Sequence, residues 1–259
     1  MKNFILLLFV LLFANTSFSQ AQNMVDIFKK YSYQIMGYIS PSPPDFEFIN
    51  GTGSGFFIKR NNHLFFITAM HVITGCDGKT MPPKYPDLFN VLLPGKGETV
   101  TIYATGVRDT AKCLPFAEYA DVIVLPVEDK YLDKVYSVEG YEYPPFKTIN
   151  STAIFGYPAV EMYKGKYQHL APTSVLNIPI KKSKYAADSI NYKVYSNYIK
   201  IDSNLRGYSG SPVFLRDAKS QKWRISGIGV GSGLQDDGKK FLYIVKIEYA
   251  YKKIEALLH

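Results

Sequence analysis

Cysteine and histidine are scarce in this chain of 259 residues, with two of the former and four of the latter. None stands in a CxxC, HExxH or other metal-ligand spacing, so neither a metal nor another cofactor is expected. Apolar runs long enough to cross a bilayer are absent too, since about 20 residues are needed. Internal repeats and low-complexity tracts are missing, which excludes solenoid, collagen-like and disordered classes. Acidic residues are fewer than basic ones, 22 against 30, for a net charge of +8. The lysines cluster only weakly, at Lys181, Lys182 and Lys184 and at Lys239 and Lys240. Without a basic stripe on a recognisable binding fold, these read as solvated loops and no nucleic-acid partner is expected.

The one marked apolar run comes first. Lys2 precedes Phe4–Phe13, and the small and polar "ANTSFSQAQ" follows. A charged start, an apolar centre and small residues beyond it form a secretory signal peptide, with cleavage after Ser19 or Ala21. Residues 1–21 are therefore assigned to the signal and 22–259 to one domain. The expected destination is periplasmic or extracellular, with no membrane association after cleavage. No Cys lies near the cleavage site, so a lipid anchor is not expected. In an oxidising compartment Cys76 and Cys113 are candidates for a disulfide, with two buried thiols as the alternative.

Beyond the signal, short runs rich in Val, Ile, Phe and Tyr alternate with Gly, Pro and Asn breaks. "GSGFFIK", "HLFFITAM", "NVLLP", "DVIVLPV", "STAIFGYP", "YKVYSNYIKI", "SPVFL" and "WRISGIGV" are examples. This pattern predicts an all-β sandwich or barrel. "RNN" joins the first two runs and predicts a hairpin over residues 55–69. A helix is expected at the end, where Ile247, Ala250, Tyr251, Ile254, Leu257 and Leu258 share one face. A second helix is weakly indicated over Met24–Tyr33, and Asp129–Asn150 reads as a connector. The 21 tyrosines suit half-buried strand positions and carry no function as a group.

Serine-based acyl transfer needs a hydroxyl, a base and a group that holds the base. "GYSGSP" supplies Ser209 and Ser211 among turn-forming residues. Of the histidines, His259 is terminal, His63 opens a strand beside a turn, and His71 ends an apolar strand in "FFITAMHVITG". Asp121 precedes an apolar strand in "EYADVIVLPV", a good place for a shielded acid. Each of these has a plain structural reading when taken singly: a satisfied His, a strand-edge Asp, a turn Ser.

Their order is more specific. "GTGSGFFI", "TAMHV", "ADVIVLPV" and "GYSGSPVF" follow one another between residues 51 and 214. Together they resemble the chymotrypsin-like (trypsin-like) serine peptidases, most closely bacterial exported members without a PDZ domain. The likeness spans about residues 45–258, with "STAIFGYP" similar to the opening strand of a second barrel. It implies two antiparallel six-stranded β-barrels, at about 32–140 and 145–247, and a C-terminal α-helix at about 247–258. It carries His71 over as general base, Asp121 as orienting carboxylate and Ser209 as nucleophile. The oxyanion hole falls to the amides of Gly207 and Ser209.

The resemblance also implies a substrate pocket and a substrate strand. By spacing, Ser203 in "IDSNLR" forms the pocket base, with Asp202 one position away; the two would favour different side chains. Gly229, Val230 and Gly231 would pair with an extended substrate. "SGSPVF" is close to the glutamyl endopeptidases, whose acidic specificity needs a His where Gly229 stands here, so that specificity is not expected. Tyr208 replaces the Asp that pairs with a new N-terminus in the animal digestive enzymes, so no such ion pair is expected. An α/β-hydrolase elbow is excluded, because that fold orders its triad Ser, acid, His, whereas this chain runs His, Asp, Ser. "GTGSG" is no phosphate loop either, lacking the Lys-Ser/Thr and the following helix. The expectation is a monomeric serine endopeptidase acting on protein or peptide substrates. A catalytically silent relative that binds peptides in the same cleft is the alternative.

Overall fold

The computed structural model describes residues 29–38, 48–49, 53–77, 79–81, 86, 88–93, 97–104, 106–107, 113, 120–140, 149–157, 173–176, 180–182, 191–195, 207–217, 219–220, 222–234 and 240–259. The signal segment, residues 24–28 of the Met24–Tyr33 helix candidate and the Asp202–Ser203 pair lie outside them.

Eight strands form the first sheet. They are β1 (Tyr33–Tyr38), β2 (Phe48–Ile49), β3 (Ser54–Arg60), β4 (His63–Thr68), β5 (Leu88–Leu92), β6 (Thr99–Tyr103), β7 (Ile123–Val127) and β8 (Ser137–Val138). Six of them run in the order β6-β5-β1-β3-β4-β7, all antiparallel; β2 adds to β1, and β8 lies parallel to β3. The short β8 falls inside the Asp129–Asn150 stretch, which is thus more than a connector. The second sheet holds seven strands: β9 (Ile149–Gly156), β10 (Thr173–Leu176), β11 (Ile180–Lys182), β12 (Asn191–Tyr195), β13 (Pro212–Asp217), β14 (Trp223–Leu234) and β15 (Lys240–Lys246). Their order is β10-β9-β13-β14-β15-β12-β11, again antiparallel. The result is an all-β molecule of two barrel-like sheets, each built from a continuous half of the chain.

The β3–β4 hairpin positions the site, and its turn is set locally. Arg60 pairs with His63 across Asn61 and Asn62, whose φ values are 50° and 62°. A two-residue hairpin loop of this kind needs positive φ at both positions, which Asn tolerates. Phe56, Phe57, Ile58 and Leu64 to Ile67 are all buried, though successive side chains point to opposite faces. Both faces of the hairpin are therefore covered, which is why its strands read as unbroken apolar runs. Tyr33 and Phe57 meet edge to face at 4.8 Å, and Phe66 closes on Phe57 at 5.0 Å. In β5 and β6, by contrast, buried Phe89, Val91, Val100 and Ile102 alternate with less buried neighbours.

The C-terminal helix, Ile247–Leu258, buries Ile247, Ala250, Tyr251 and Ile254 and packs on β14, β7 and β15. Leu257 does not join that face as its spacing predicts. It lies 52% exposed, whereas Leu258, one residue further on, packs against the core. Arg60 Nε reaches Glu255 Oε1 at 2.8 Å and ties the hairpin turn to the helix. Both side chains are partly exposed to solvent, so the pair contributes little to stability.

Hydrogen bonds also cross between the two sheets. Ser32 Oγ donates to Phe155 O at 2.9 Å, and Tyr157 Oη donates to Ser32 O at 3.2 Å. Burial pushes the Tyr157 phenol up to about 12. Cys76 and Cys113 are bridged, with Cα atoms 5.5 Å apart, inside the span that a disulfide allows. Among the described residues, no helix is long and apolar enough to cross a membrane. None of their His, Cys, Asp and Glu side chains group in threes or more to hold a metal ion.

Candidate active site

His71 lies beyond the strand that its sequence context suggests. β4 ends at Thr68, Ala69 is extended, and α1 (Met70–Thr74) begins at once, with His71 in its first turn. A helix start leaves N–H groups without intrahelical partners, and Ala69 has no side chain to cap them. The loop before β7 supplies the acceptors instead. Met70 N–H donates to Asp121 O at 3.3 Å, and His71 N–H donates to Asp121 Oδ1 at 3.0 Å. The second carboxylate oxygen, Oδ2, accepts a hydrogen bond from His71 Nδ1.

That geometry fixes the ring chemistry. Asp121 is wholly buried, while the His71 side chain keeps 20% of its surface exposed. An ionised carboxylate only accepts, so neutral His71 carries its proton on Nδ1 and its lone pair on Nε2. A base oriented in this way can take a proton at Nε2.

Ser209 belongs to a tight loop leading into β13. Its own residue is partly exposed, whereas Gly207, Tyr208, Gly210 and Ser211 are buried around it. Ser211 N–H donates to Tyr208 O at 2.9 Å and closes the turn. The main chain of Ser211 does this; its buried hydroxyl has no hydrogen-bond partner among the described residues. Gly207 and Gly210 have φ values of 92° and 87°, a region that L side chains avoid. At Gly210 a Cβ would also overlap Ser54 O and Thr68 Oγ1 and stand 3.0 Å from Ala69 N. The loop therefore presses its backbone against the end of β4, next to the residues that carry His71. Among the described residues, no main-chain bond uses the N–H of Gly207 or Ser209.

The substrate-strand residues divide. Gly229 N–H donates to Ser211 O at 2.9 Å, and Gly229 O accepts from Gly210 N–H at 2.6 Å. Gly229 thus holds the serine loop through both its N–H and its carbonyl. A register shift follows it: Gly229 faces Ile244 and Gly231 faces Tyr243, leaving Val230 as the extra residue with its side chain buried. Such a bulge frees the Val230 backbone from the ladder, while Gly231 stays paired with Tyr243; both remain substrate-pairing candidates.

One participant escaped the sequence reading. Ser54 of "GTGSG" donates its N–H to Ser209 O at 2.8 Å and its hydroxyl to Gly207 O at 2.6 Å. Thr68 Oγ1 donates to Ser54 O at 2.7 Å. No local pattern marks these residues, because the Ser54 and Gly207 pair is separated by 153 positions.

A buried acid bonded to a histidine on the first barrel thus stands beside a tight serine turn from the second. Residues 53–220 match the family model described as the trypsin-like peptidase domain, and the chain belongs to that family. No curated protein matches it. Among solved structures, it is similar to the thermostable serine protease AL20 from an extremophilic microorganism, at 11% identity and a TM-score of 0.50. That match covers 84% of this chain and 91% of the other. Protease Anisep from Arthrobacter nicotinovorans matches at 16% identity and a TM-score of 0.49, over 84% and 90% of the two chains. At 11% identity the first likeness is one of fold, and the fold is the chymotrypsin-like one.

Proposed function

We propose that this chain is an exported serine endopeptidase that cleaves protein or peptide substrates through an acyl-enzyme on Ser209. The observation that carries the reading is the paired use of Asp121. One of its oxygens anchors the start of α1, and the other orients the His71 ring. His71 Nε2 takes the Ser209 proton as Oγ attacks the scissile carbonyl, then returns it to the leaving amine. Asp121 stays ionised and stabilises the imidazolium. Water, deprotonated by the same His71, releases the acyl group. The amides of Gly207 and Ser209 receive the oxyanion, and Val230 and Gly231 hold the substrate main chain. Residues 1–21 act as the leader and 22–259 as the peptidase domain, delivered to the periplasm or the medium.

A fluorophosphonate probe tests this directly. It should label the wild-type protein at Ser209 and leave Ser209→Ala unmarked. Asp121→Asn should lower kcat by about 10⁴ through the wrong His71 tautomer. A folded wild type that resists the probe would leave a peptide-binding relative in place of an enzyme.

A further inference from the structure

Ser54 lies in the wall between the barrels and is fully buried. Its hydroxyl accepts from Tyr157 N–H at 2.9 Å and donates to Gly207 O at 2.6 Å. A hydroxyl has a single proton to give, and here that proton goes to Gly207. Its main-chain N–H meanwhile donates to Ser209 O at 2.8 Å.

We propose that Ser54 is a positioning residue for the oxyanion site, and that its hydroxyl holds Gly207 in the conformation from which the Gly207 and Ser209 amides converge. The proposal rests on the assignment of Ser209 as nucleophile. Gly207 has a φ of 92° and no Cβ, so nothing in its own covalent structure confines it. Its carbonyl oxygen lies in the planar peptide that joins it to Tyr208. Anchoring that oxygen sets ψ at Gly207 and hence the relation between its own N–H and the residues that follow. The Ser54 N–H anchors the second carbonyl, that of Ser209, two residues further along the same loop. Both anchors come from one residue of the opposite barrel, the first of the hairpin that leads to His71. Ser54 thereby ties the oxyanion donors to the base. Its hydroxyl touches no reacting atom; it reaches the oxyanion site through Gly207, and the bond it accepts from Tyr157 N–H fixes its own orientation.

The test compares Ser54→Ala, Ser54→Gly and Ser54→Thr with the wild type in the full chain. Circular dichroism and thermal melting report folding, and a chromogenic peptide ester reports steady-state kinetics. Misplacing an oxyanion donor costs less than deleting one, so kcat should fall about 10- to 100-fold in the Ala and Gly variants. KM should move by less than about threefold, since ground-state binding does not use the oxyanion site. Affinity for a peptide boronic acid, which places an oxygen in that site, should fall in step with kcat/KM. Ser54→Thr keeps the hydroxyl and should recover most of the lost kcat. Wild-type kcat in a folded Ser54→Ala variant would overturn the proposal. So would a loss confined to KM, or a Thr variant no better than Ala. If neither Ala nor Gly folds, the role is structural and the proposal falls. Failure of the fluorophosphonate probe on the wild type is a separate result. It removes the Ser209 assignment itself, and the role of Ser54 with it.

Discussion

Asp121 binds the first turn of α1 with one carboxylate oxygen and the His71 ring with the other. Burying an acid is costly unless it is hydrogen-bonded, and this acid is compensated by groups of the element it serves. The sequence shows Asp121 before an apolar strand and so hints at its shielding. The helix that receives it is invisible there, because five residues are too few for a period to show. Gly210 is the sharper case at this scale. Its φ of 87° and its contact with Ser54 and Thr68 leave no room for a methyl group. Gly210→Ala should lose about 3 kcal/mol or more of stability, through left-handed strain and overpacking together. Chemical denaturation measures the loss, and a variant within about 0.5 kcal/mol of wild type would show that the loop can move away from β4.

Among the elements, the hairpin and the C-terminal helix were the most legible. Asn61 and Asn62 mark the turn because positive φ is a local demand, and few residue types meet it. The helix period places Ile254 correctly in the core, yet it also enlists Leu257, which the structure leaves 52% exposed. Periodicity records which residues share a face, but it does not record how much of that face the core covers. The two positions should therefore respond differently to truncation. Ile254→Ala should cost about 2–4 kcal/mol, and Leu257→Ala no more than about 0.5 kcal/mol. Thermal midpoints of the two variants check this, and equal shifts would mean that Leu257 is covered in solution. β8 was missed for a related reason, since two residues carry no pattern and the strand exists only because β3 accepts it.

On the scale of the molecule, the Cys76–Cys113 bridge joins residues 37 positions apart, across a span that includes β5 and β6. Closing a loop of that length removes entropy from the unfolded chain worth about 3–4 kcal/mol in the loop-closure account. Replacing both cysteines with serine should lower the thermal midpoint accordingly while leaving the fluorophosphonate reaction in place at moderate temperature. An unchanged midpoint would show that the unfolded chain is not restrained by the bridge. The sequence offered the pair only as a candidate, because spacing does not reveal whether two Cα atoms meet. The contacts between barrels were equally hidden: Ser32 to Phe155, Tyr157 to Ser32 and Ser54 to Gly207 each join segments more than a hundred residues apart.

What the sequence determined by itself was everything that depends on neighbours along the chain. Apolar runs specified strands, paired asparagines specified a turn, and four short motifs in order resembled the family to which the chain belongs. The tertiary structure alone decided which groups were already spent and which were free. It assigned the Gly229 amide to the serine loop, gave Asp121 a second duty and set Ser54 behind Gly207. A hydrogen bond between distant segments is selected by where the folded chain brings them, and no local propensity carries that choice.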